Sequence, residues 1–266
     1  MQELLEDQVF LLHRHPWKES SYILRLFGHR YGRIDVVGRG LRGNRRGAMV
    51  LPHVCCHLEW KRGRGDLGQL SGLRPIGPPA PQPAGDNWWA AQYLSELLLQ
   101  ALPPAEPEPE IFLAYAQTLE RLRQQPLRLG LLLRRFEYRL LCALGLGFAS
   151  NQDAQGQALK PNQRYGLHAE QGLLPQAQRG VAAAAWLALE GPDCSVEDEA
   201  GLRGALQMAL GSLVDFGRLR ARSEWQRAQA LRKEHQQHAA GNQTGAEQLP
   251  GVEPLAQEDP GQQHDP

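Results

Sequence analysis

The residues best suited to bind an anionic ligand form a short arginine-rich segment. Guanidinium groups donate paired hydrogen bonds to phosphate oxygens, and interspersed glycines let a loop follow a polymer backbone. The pattern favours a phosphate-binding loop over a solvated surface loop, because more basic residues flank it. The segment's arginines are Arg39, Arg42, Arg45 and Arg46, and the flanking residues are Lys18, Arg25, Arg30, Arg33, Lys61, Arg62 and Arg64.

Aromatic side chains near this segment are candidates for stacking on nucleic-acid bases. Tyr22 and Phe27 are expected in the core, because they fall in apolar strand patterns. Trp17 follows a proline in a predicted loop and is the better stacking candidate.

Two further groups have the composition of a binding site. His53, Cys55, Cys56 and His57 form an HxCCxH cluster, but strand alternation would separate Cys56 from the others, so we expect no metal. Arg134 and Arg135 lie on an apolar helical pattern. They are either ordinary surface charges or the basic rim of a pocket for an acidic peptide.

No catalytic motif is present. The chain lacks GxxxxGK[ST], GxSxG, HExxH and paired CxxC patterns, so we expect no enzyme activity and no cofactor. The four cysteines have no disulfide spacing, and neither a signal peptide nor a membrane span is recognisable. A cytoplasmic protein is therefore expected.

The zero net charge hides an asymmetry between the two parts of the chain. Residues 1–80 hold 13 Lys and Arg against 7 Asp and Glu, whereas the remainder has an equal excess of acidic residues. Such a split indicates an anionic partner for the basic part.

Periodicity predicts two domains of different class. Five strands separated by Gly, Pro or polar residues favour a small OB-type barrel in residues 1–78, because strands this closely spaced leave no room for crossover helices. A proline-rich run then leads to a helical domain at 79–232, with a cysteine-free loop or hairpin at about 149–180. Residues 233–266 lack core formers and are expected to be disordered. The predicted strands are Gln8–His15, Ser21–Phe27, Arg33–Arg39, Pro52–Arg62 and Leu67–Ile76.

Helical spacing of apolar residues defines the elements after the proline-rich run. Asp86 or Asn87 is expected to cap the first of them. The predicted helices run from there to Leu102, and over Glu110–Arg123, Leu127–Gly145, Gly180–Leu189 and Val196–Leu219, with a small hairpin around Tyr165 to Leu174.

Several segments resemble the RecO family of bacterial DNA repair proteins. Residues 10–43 are similar to its "vLhxRpxxExs" and "lxxFTxxxGrxxxvakGar" strands, and WKRGRGDLGQL at 60–70 to its glycine-rich hairpin. LLLRRFEYRLLCALGLG at 131–147 resembles "LRRFElxLLxxLGyg", and LRAR at 219–222 resembles "pLKSR". The resemblance extends over roughly residues 9–225.

The resemblance implies an N-terminal OB-fold barrel followed by a mainly α-helical domain, an α+β multidomain protein. It also implies binding of single- and double-stranded DNA, annealing of complementary strands and binding of the acidic C-terminal tail of the single-strand binding protein SSB. With RecR, and RecF in one branch, such proteins help RecA load onto SSB-covered gaps.

The resemblance also implies which residues bind DNA and which bind the SSB tail. Arg39 and Arg42 match its basic DNA-binding segment, and Arg134 and Arg135 match arginines that border its SSB-tail pocket, where Tyr93 or Leu97 would receive the terminal Phe ring. The family's four-cysteine zinc module is missing at 151–174, so we expect no metal there. The full DNA-binding set is Arg33, Arg39, Arg42, Arg45, Arg46, Lys61, Arg62, Arg64, Arg220 and Arg222.

Three alternatives stay open. A generic OB-fold protein that binds RNA or single strands without mediator activity would carry the same basic face. A nucleic-acid-processing enzyme with scattered acidic groups and a structural adaptor are the others.

Overall fold

The structure is a computed structural model that describes residues 3–42, 51–63, 65–78, 80–124, 128–192 and 198–231. Arg45, Arg46 and Arg64 of the expected DNA-binding set lie outside the described residues, as does the tail at 233–266. The described residues up to Glu224 belong to one compact unit. None of the described helices is both long enough and apolar enough to cross a bilayer.

Five strands close into a barrel at the start of the chain. They are β1 (Leu4–Trp17), β2 (Ser21–Gly28), β3 (Gly32–Gly38), β4 (Cys55–Lys61) and β5 (Leu67–Pro75). Their order is β1-β2-β3-β5-β4, and β1 also pairs with β4, so that the sheet closes on itself. All neighbours are antiparallel except β3 and β5. The OB-type barrel predicted from the sequence is confirmed.

Strand alternation fills the interior of the barrel. Every second residue of β3 is buried, as expected for a strand with one face inside. Leu24 and Leu26 of β2, Val36 of β3 and Leu58 of β4 are fully buried and pack together there. The intervening residues of the same strands therefore point to the outside.

A buried carboxylate fixes the turn between β2 and β3. Asp7 accepts hydrogen bonds from the backbone amides of Arg30 (3.0 Å) and Tyr31 (3.1 Å) and from that of Gln8 (2.7 Å). Burial raises the pKa of Asp7, although these hydrogen bonds lower it. The turn is thus held rigidly at the end of β2 that lies away from the β1–β2 loop.

Three helices follow the proline-rich run. They are α1 (Asp86–Ala101), α2 (Pro109–Arg123) and α3 (Leu129–Ala143). The predicted cap of α1 is wrong, because Gly85 occupies the capping position without a side-chain bond. Asn87 instead donates its side-chain amide to the Leu122 carbonyl at 2.9 Å and so joins α1 to α2.

The last part of the unit contains a hairpin and shorter helices. These elements are β6 (Arg164–His168), β7 (Gly172–Pro175), β8 (Val181–Ala182), α4 (Ala183–Leu187), α5 (Glu199–Leu210), a 3-10 turn (Phe216–Arg218) and α6 (residues 220–231). The three strands form one small sheet in the order β7-β6-β8. Two helix predictions are wrong here: the two residues of β8 replace the start of Gly180–Leu189, and Val196–Leu219 is not one helix, since α5 ends at Leu210.

The outer face of the barrel contributes to the hydrophobic core of the helices. Phe10, Leu12 and Phe27 are buried on the outside of β1 and β2 and belong to the same cluster as the helical core. The Phe10 ring lies 5.2 Å from that of Phe112 and 5.1 Å from that of Tyr115, measured between centroids. Apolar contact of this kind fixes the barrel against α1 and α2.

The connection between α1 and α2 covers the edge of β3. Pro104 forms an isolated parallel bridge with Arg33, and the Ala105 amide donates to the Arg33 carbonyl at 3.0 Å. Gly32 has φ +64° and lies directly under the Glu106 backbone, where a Cβ would collide with the carbonyl. Only glycine combines this conformation with so close an approach.

Candidate nucleic-acid interface

An open cleft of about 900 Å³ lies on the outside of the barrel. Its walls are the loop between β1 and β2, the residues that follow β3, and the start of β5 with the loop before it. Loops at these positions flank the ligand face of OB barrels. The side chains that give the cleft its chemistry are Trp17, Lys18, Val37, Arg39, Arg42 and Gln69.

The backbone places two arginines at the rim of this cleft. Between them, Leu41 is buried against Gly38, where no side chain would fit. The Arg42 amide donates to the Ser20 carbonyl at 3.0 Å, and its guanidinium approaches the Lys18 carbonyl at 3.4 Å. Leu41 therefore anchors the segment while Arg39 and Arg42 stay exposed.

The cleft combines positive charge with one apolar ring. Trp17 is 41% exposed, so its indole ring is accessible to a ligand in the cleft. Lys18 adjoins it, and Glu19 is the carboxylate among the lining residues. This set can neutralise phosphates and stack on a base, which is what single-strand binding requires.

Strand register shows how the predicted basic residues relate to the cleft. Val37 of β3 is paired with Gln69 of β5, and Gln69 is paired with Lys61 of β4. Directly opposite residues share a face of a sheet, so Lys61 lies on the outer face beside the cleft. Arg62 is exposed and precedes Gly63, which lines the cleft.

Arg33 does not belong to this site, contrary to its prediction as a DNA-binding residue. It lies at the start of β3, and its guanidinium donates to the Leu99 carbonyl of α1 at 2.7 Å. Arg39 follows the other end of the same strand. Six residues of strand at about 3.3 Å each separate the two, so Arg33 joins the barrel to the helices instead.

Substituting Arg33 with alanine is expected to destabilise the fold without weakening DNA binding. The loss of one charge-assisted hydrogen bond to Leu99 should lower the free energy of unfolding by about 1.5–3 kcal/mol. Chemical denaturation and a binding titration with single-stranded DNA measure the two effects. If the variant keeps its stability but binds DNA clearly less tightly, Arg33 is part of the DNA-binding site.

Arg220 and Arg222 are exposed at the start of α6 and do not line the cleft. The Ala221 amide donates to the Glu96 carboxylate at 3.0 Å, which places this helix start beside α1. Arg220 also acts on His13 of β1, since its charge lowers the pKa of that imidazole. It therefore lies near the outer face of β1.

One of the two predicted peptide-binding arginines, Arg134, belongs to a buried network. Arg134 is 4% exposed and pairs with the fully buried Glu137 at 2.5 Å, and the Tyr93 hydroxyl donates to the same carboxylate at 2.5 Å. Burial raises the pKa of Glu137, while the charge of Arg134 lowers it. The idea that Arg134 is an ordinary surface charge is wrong, and it is not an open basic rim either.

Two other members of the predicted pocket are structural. Arg135 donates to the carbonyls of Ala188 at 2.9 Å and Gly191 at 2.6 Å and so holds the end of α4. Leu97 is fully buried in the core. The prediction that Leu97 receives an aromatic ring is wrong for this structure, because no surface of it is accessible.

Sequence patterns missed an exposed cation close to this network. Arg203 on α5 is exposed, and its charge lowers the pKa of Glu137. Gln207, one turn later, hydrogen-bonds Tyr93. No local motif distinguishes Arg203 from a solvated helix residue, so only the packing of α5 against α3 shows its place.

The histidine and cysteine cluster does not form the alternating set expected for it. His53 precedes β4 in a turn with φ +60°, whereas the sequence predicted strand from Pro52. It is fully buried against Trp88, and burial lowers its pKa to about 4. Among the residues that the structure describes, no group of three or more His, Cys, Asp or Glu side chains could hold a metal ion.

Comparison with known proteins identifies relatives for most of the described unit. The family model for the N-terminal part of recombination protein O matches residues 1–79, and the model for its C-terminal part matches residues 82–206. The DNA repair protein RecO of Pseudomonas aeruginosa strain LESB58 is 42% identical over 170 residues, covering 64% of this chain and 70% of the relative. That of Xylella fastidiosa strain M23 is 38% identical over 169 residues, covering 62% and 68%.

A third relative extends the match along the chain. The DNA repair protein RecO of Alkalilimnicola ehrlichii is 36% identical over 221 residues, covering 78% of this chain and 87% of the relative. The barrel, the helical domain and both matched family models agree. The chain belongs to the RecO family of DNA repair proteins.

Proposed function

We propose that this chain is a recombination mediator without enzymatic activity that acts in the cytoplasm. It binds single- and double-stranded DNA and anneals complementary strands. With RecR, and with RecF in one branch, it helps RecA load onto strands covered by SSB. The observation that carries this proposal is the cleft between the β1–β2 loop and β5, where Trp17, Arg39 and Arg42 surround an open volume.

The cleft supports binding that depends little on base sequence. Guanidinium groups on phosphates carry no base information, and stacking on an indole ring accepts any base. Binding should weaken steeply with added salt, because phosphate neutralisation releases counterions. Both properties suit a protein that handles strands of arbitrary sequence.

The helical domain offers a place for the acidic SSB tail. The exposed guanidinium of Arg203 lies near the buried Tyr93, Arg134 and Glu137 network. A tail carboxylate would meet Arg203 first, and Arg134 would become available only if Glu137 released it. This arrangement supports a tail site on α3 and α5 at which Arg203 makes the first contact and Arg134 and Tyr93 lie behind it.

Annealing of complementary oligonucleotides coated with the cognate SSB tests the function. We expect acceleration by the protein, detected by fluorescence, and loss of the acceleration when the SSB tail is deleted. A protein that binds single strands yet gives no acceleration would be a generic OB-fold binder. Equal-length RNA in competition would then identify the preferred nucleic acid.

A further inference from the structure

The end of β1 beyond the cleft carries basic residues that the proposed DNA site does not use. His13 is paired with Arg25 of β2, and His15 is paired with Ile23. Leu24 and Leu26 are fully buried inside the barrel, so Ile23 and Arg25 point outward. Because directly opposite residues share a face, His13 and His15 lie on the outer face as well, and both are exposed.

The local field at His13 is positive. Partial burial and the charges of Arg25, His15 and Arg220 all lower the pKa of His13, and no carboxylate of the described residues opposes them there. Two carboxylates lie next to the arginines of this surface. Asp35 is 3.8 Å from Arg25, and Glu96 borders Arg220.

This basic surface is continuous with the cleft. The register places His15, Ile23, Val37 and Gln69 side by side across β1, β2, β3 and β5. Val37 and Gln69 line the cleft. With neighbouring strands about 4.8 Å apart, only the width of β2 separates the cleft wall on β3 from the histidines on β1.

We propose that a nucleic-acid strand bound in the cleft continues across Ile23 onto a second basic surface, the β1 track, formed by His13, His15, Arg25 and Arg220. The inference rests on the proposed DNA-binding function and extends its site. Strands that fill only the cleft do not reach the track, whereas longer strands bind to both surfaces. The track gives Arg220 a place in DNA binding although it lies outside the cleft.

The β1 track should also make the affinity for long strands depend on pH. A neutral His13 imidazole contributes little to phosphate binding, whereas a bound phosphate favours its protonated form. Acidification therefore adds positive charge to the track, next to Arg25 and Arg220 and opposed by Asp35 and Glu96. Because the pKa of His13 is lowered from its ordinary value of 6.5, binding of long strands should strengthen mainly as the pH falls below 6.5, and more than binding of short ones does.

A length series of oligothymidylates tests the track. Single OB barrels occupy about 4–16 nucleotides, so strands of about 4 to 20 nucleotides cover both regimes. The test variant is His13→Glu with His15→Glu, which adds two negative charges to exposed positions. The matched control is His168→Glu with Gln171→Glu, the same charge change on the exposed β6–β7 hairpin.

We expect the test variant to lose at least about tenfold in affinity for the longest strands and little for the shortest. Its salt dependence for long strands should also be shallower, by about 0.7 in the logarithmic slope for each phosphate that is no longer neutralised. The control should match wild type at every length. His13→Gln with His15→Gln is the milder second variant, expected to abolish the extra pH dependence of long strands while keeping the fold.

The outcomes separate the two hypotheses. A wild-type protein that binds no strand of any length overturns the proposed function itself. If wild type binds short strands but its affinity does not rise with length, the cleft stands and the track is overturned. Equal affinities of the test variant and the control for long strands would overturn it too.

Discussion

Replacing Arg39 and Arg42 together with alanine is expected to lower the affinity for single-stranded DNA by about 10- to 100-fold at low salt. Both guanidiniums lie at the cleft rim and are exposed, so their removal leaves the barrel core untouched. The logarithmic salt slope should fall by about 0.7 for each phosphate that the variant leaves unneutralised. Fluorescence anisotropy with a labelled strand at several salt concentrations measures both effects.

A matched variant controls for general loss of charge. Arg121 on α2 and Arg218 after α5 are exposed and lie outside the cleft, so their double alanine variant should keep wild-type binding. Equal binding by the Arg39 and Arg42 variant, at the same salt, would exclude the cleft as the DNA site. Equal losses in both variants would mean that only the net charge matters.

Replacing Arg134 with alanine is expected to lower the free energy of unfolding by about 3–5 kcal/mol. The substitution leaves the Glu137 carboxylate fully buried without its cation, and the Tyr93 hydroxyl alone does not offset that cost. Equilibrium denaturation by urea measures the change. Weaker binding of the SSB tail by this variant would therefore follow in part from a disturbed helical domain.

The destabilisation caused by Arg134→Ala is expected to increase with pH. Burial raises the pKa of Glu137 above its ordinary value, and loss of the Arg134 charge raises it further. The protonated, neutral carboxyl of Glu137 is tolerated in the apolar core. The variant therefore keeps its stability at low pH and loses it as the pH rises through the folded-state pKa of Glu137. The destabilisation should thus be smaller at pH 5 than at pH 8.

A paired substitution controls for the volume of Arg134. Arg134→Met with Glu137→Gln removes both charges and keeps an oxygen for the Tyr93 hydroxyl. Replacing a buried ion pair by neutral groups of similar size is often close to neutral. A double variant as unstable as Arg134→Ala, at both pH values, would show that packing and not the uncompensated charge determines the cost.

The sequence predicted the elements well where burial follows a local period. Alternation in β3, with Ile34 and Val36 inside, was enough to predict that strand, and the close spacing of five such strands predicted the barrel class. The same rule failed after α5. Apolar residues are buried at intervals of four both in this helix and beyond it, at Leu202, Leu206, Leu210 and Val214. The helical period of the sequence therefore continues after Leu210, although the backbone turns there.

Residue roles were harder to predict, because they depend on distant partners. The partner of Arg33 is a backbone carbonyl 66 residues away, at Leu99, and no local pattern encodes it. Arg134 did carry a signal, since Glu137 lies three residues later on the same apolar helix. An ion pair at that spacing, surrounded by leucines, indicates a buried pair as readily as a binding rim.

The core shared by barrel and helices has a consequence for any partner that binds both. Phe10, Leu12 and Phe27 leave no hinge between the cleft and the helix that bears Arg203. The separation of the two surfaces is then constant, and a partner with two binding segments must bridge it with its own linker. The effective concentration of the second segment then depends on the length and stiffness of that linker, and it falls when the linker is too short and again, more gradually, when it is too long.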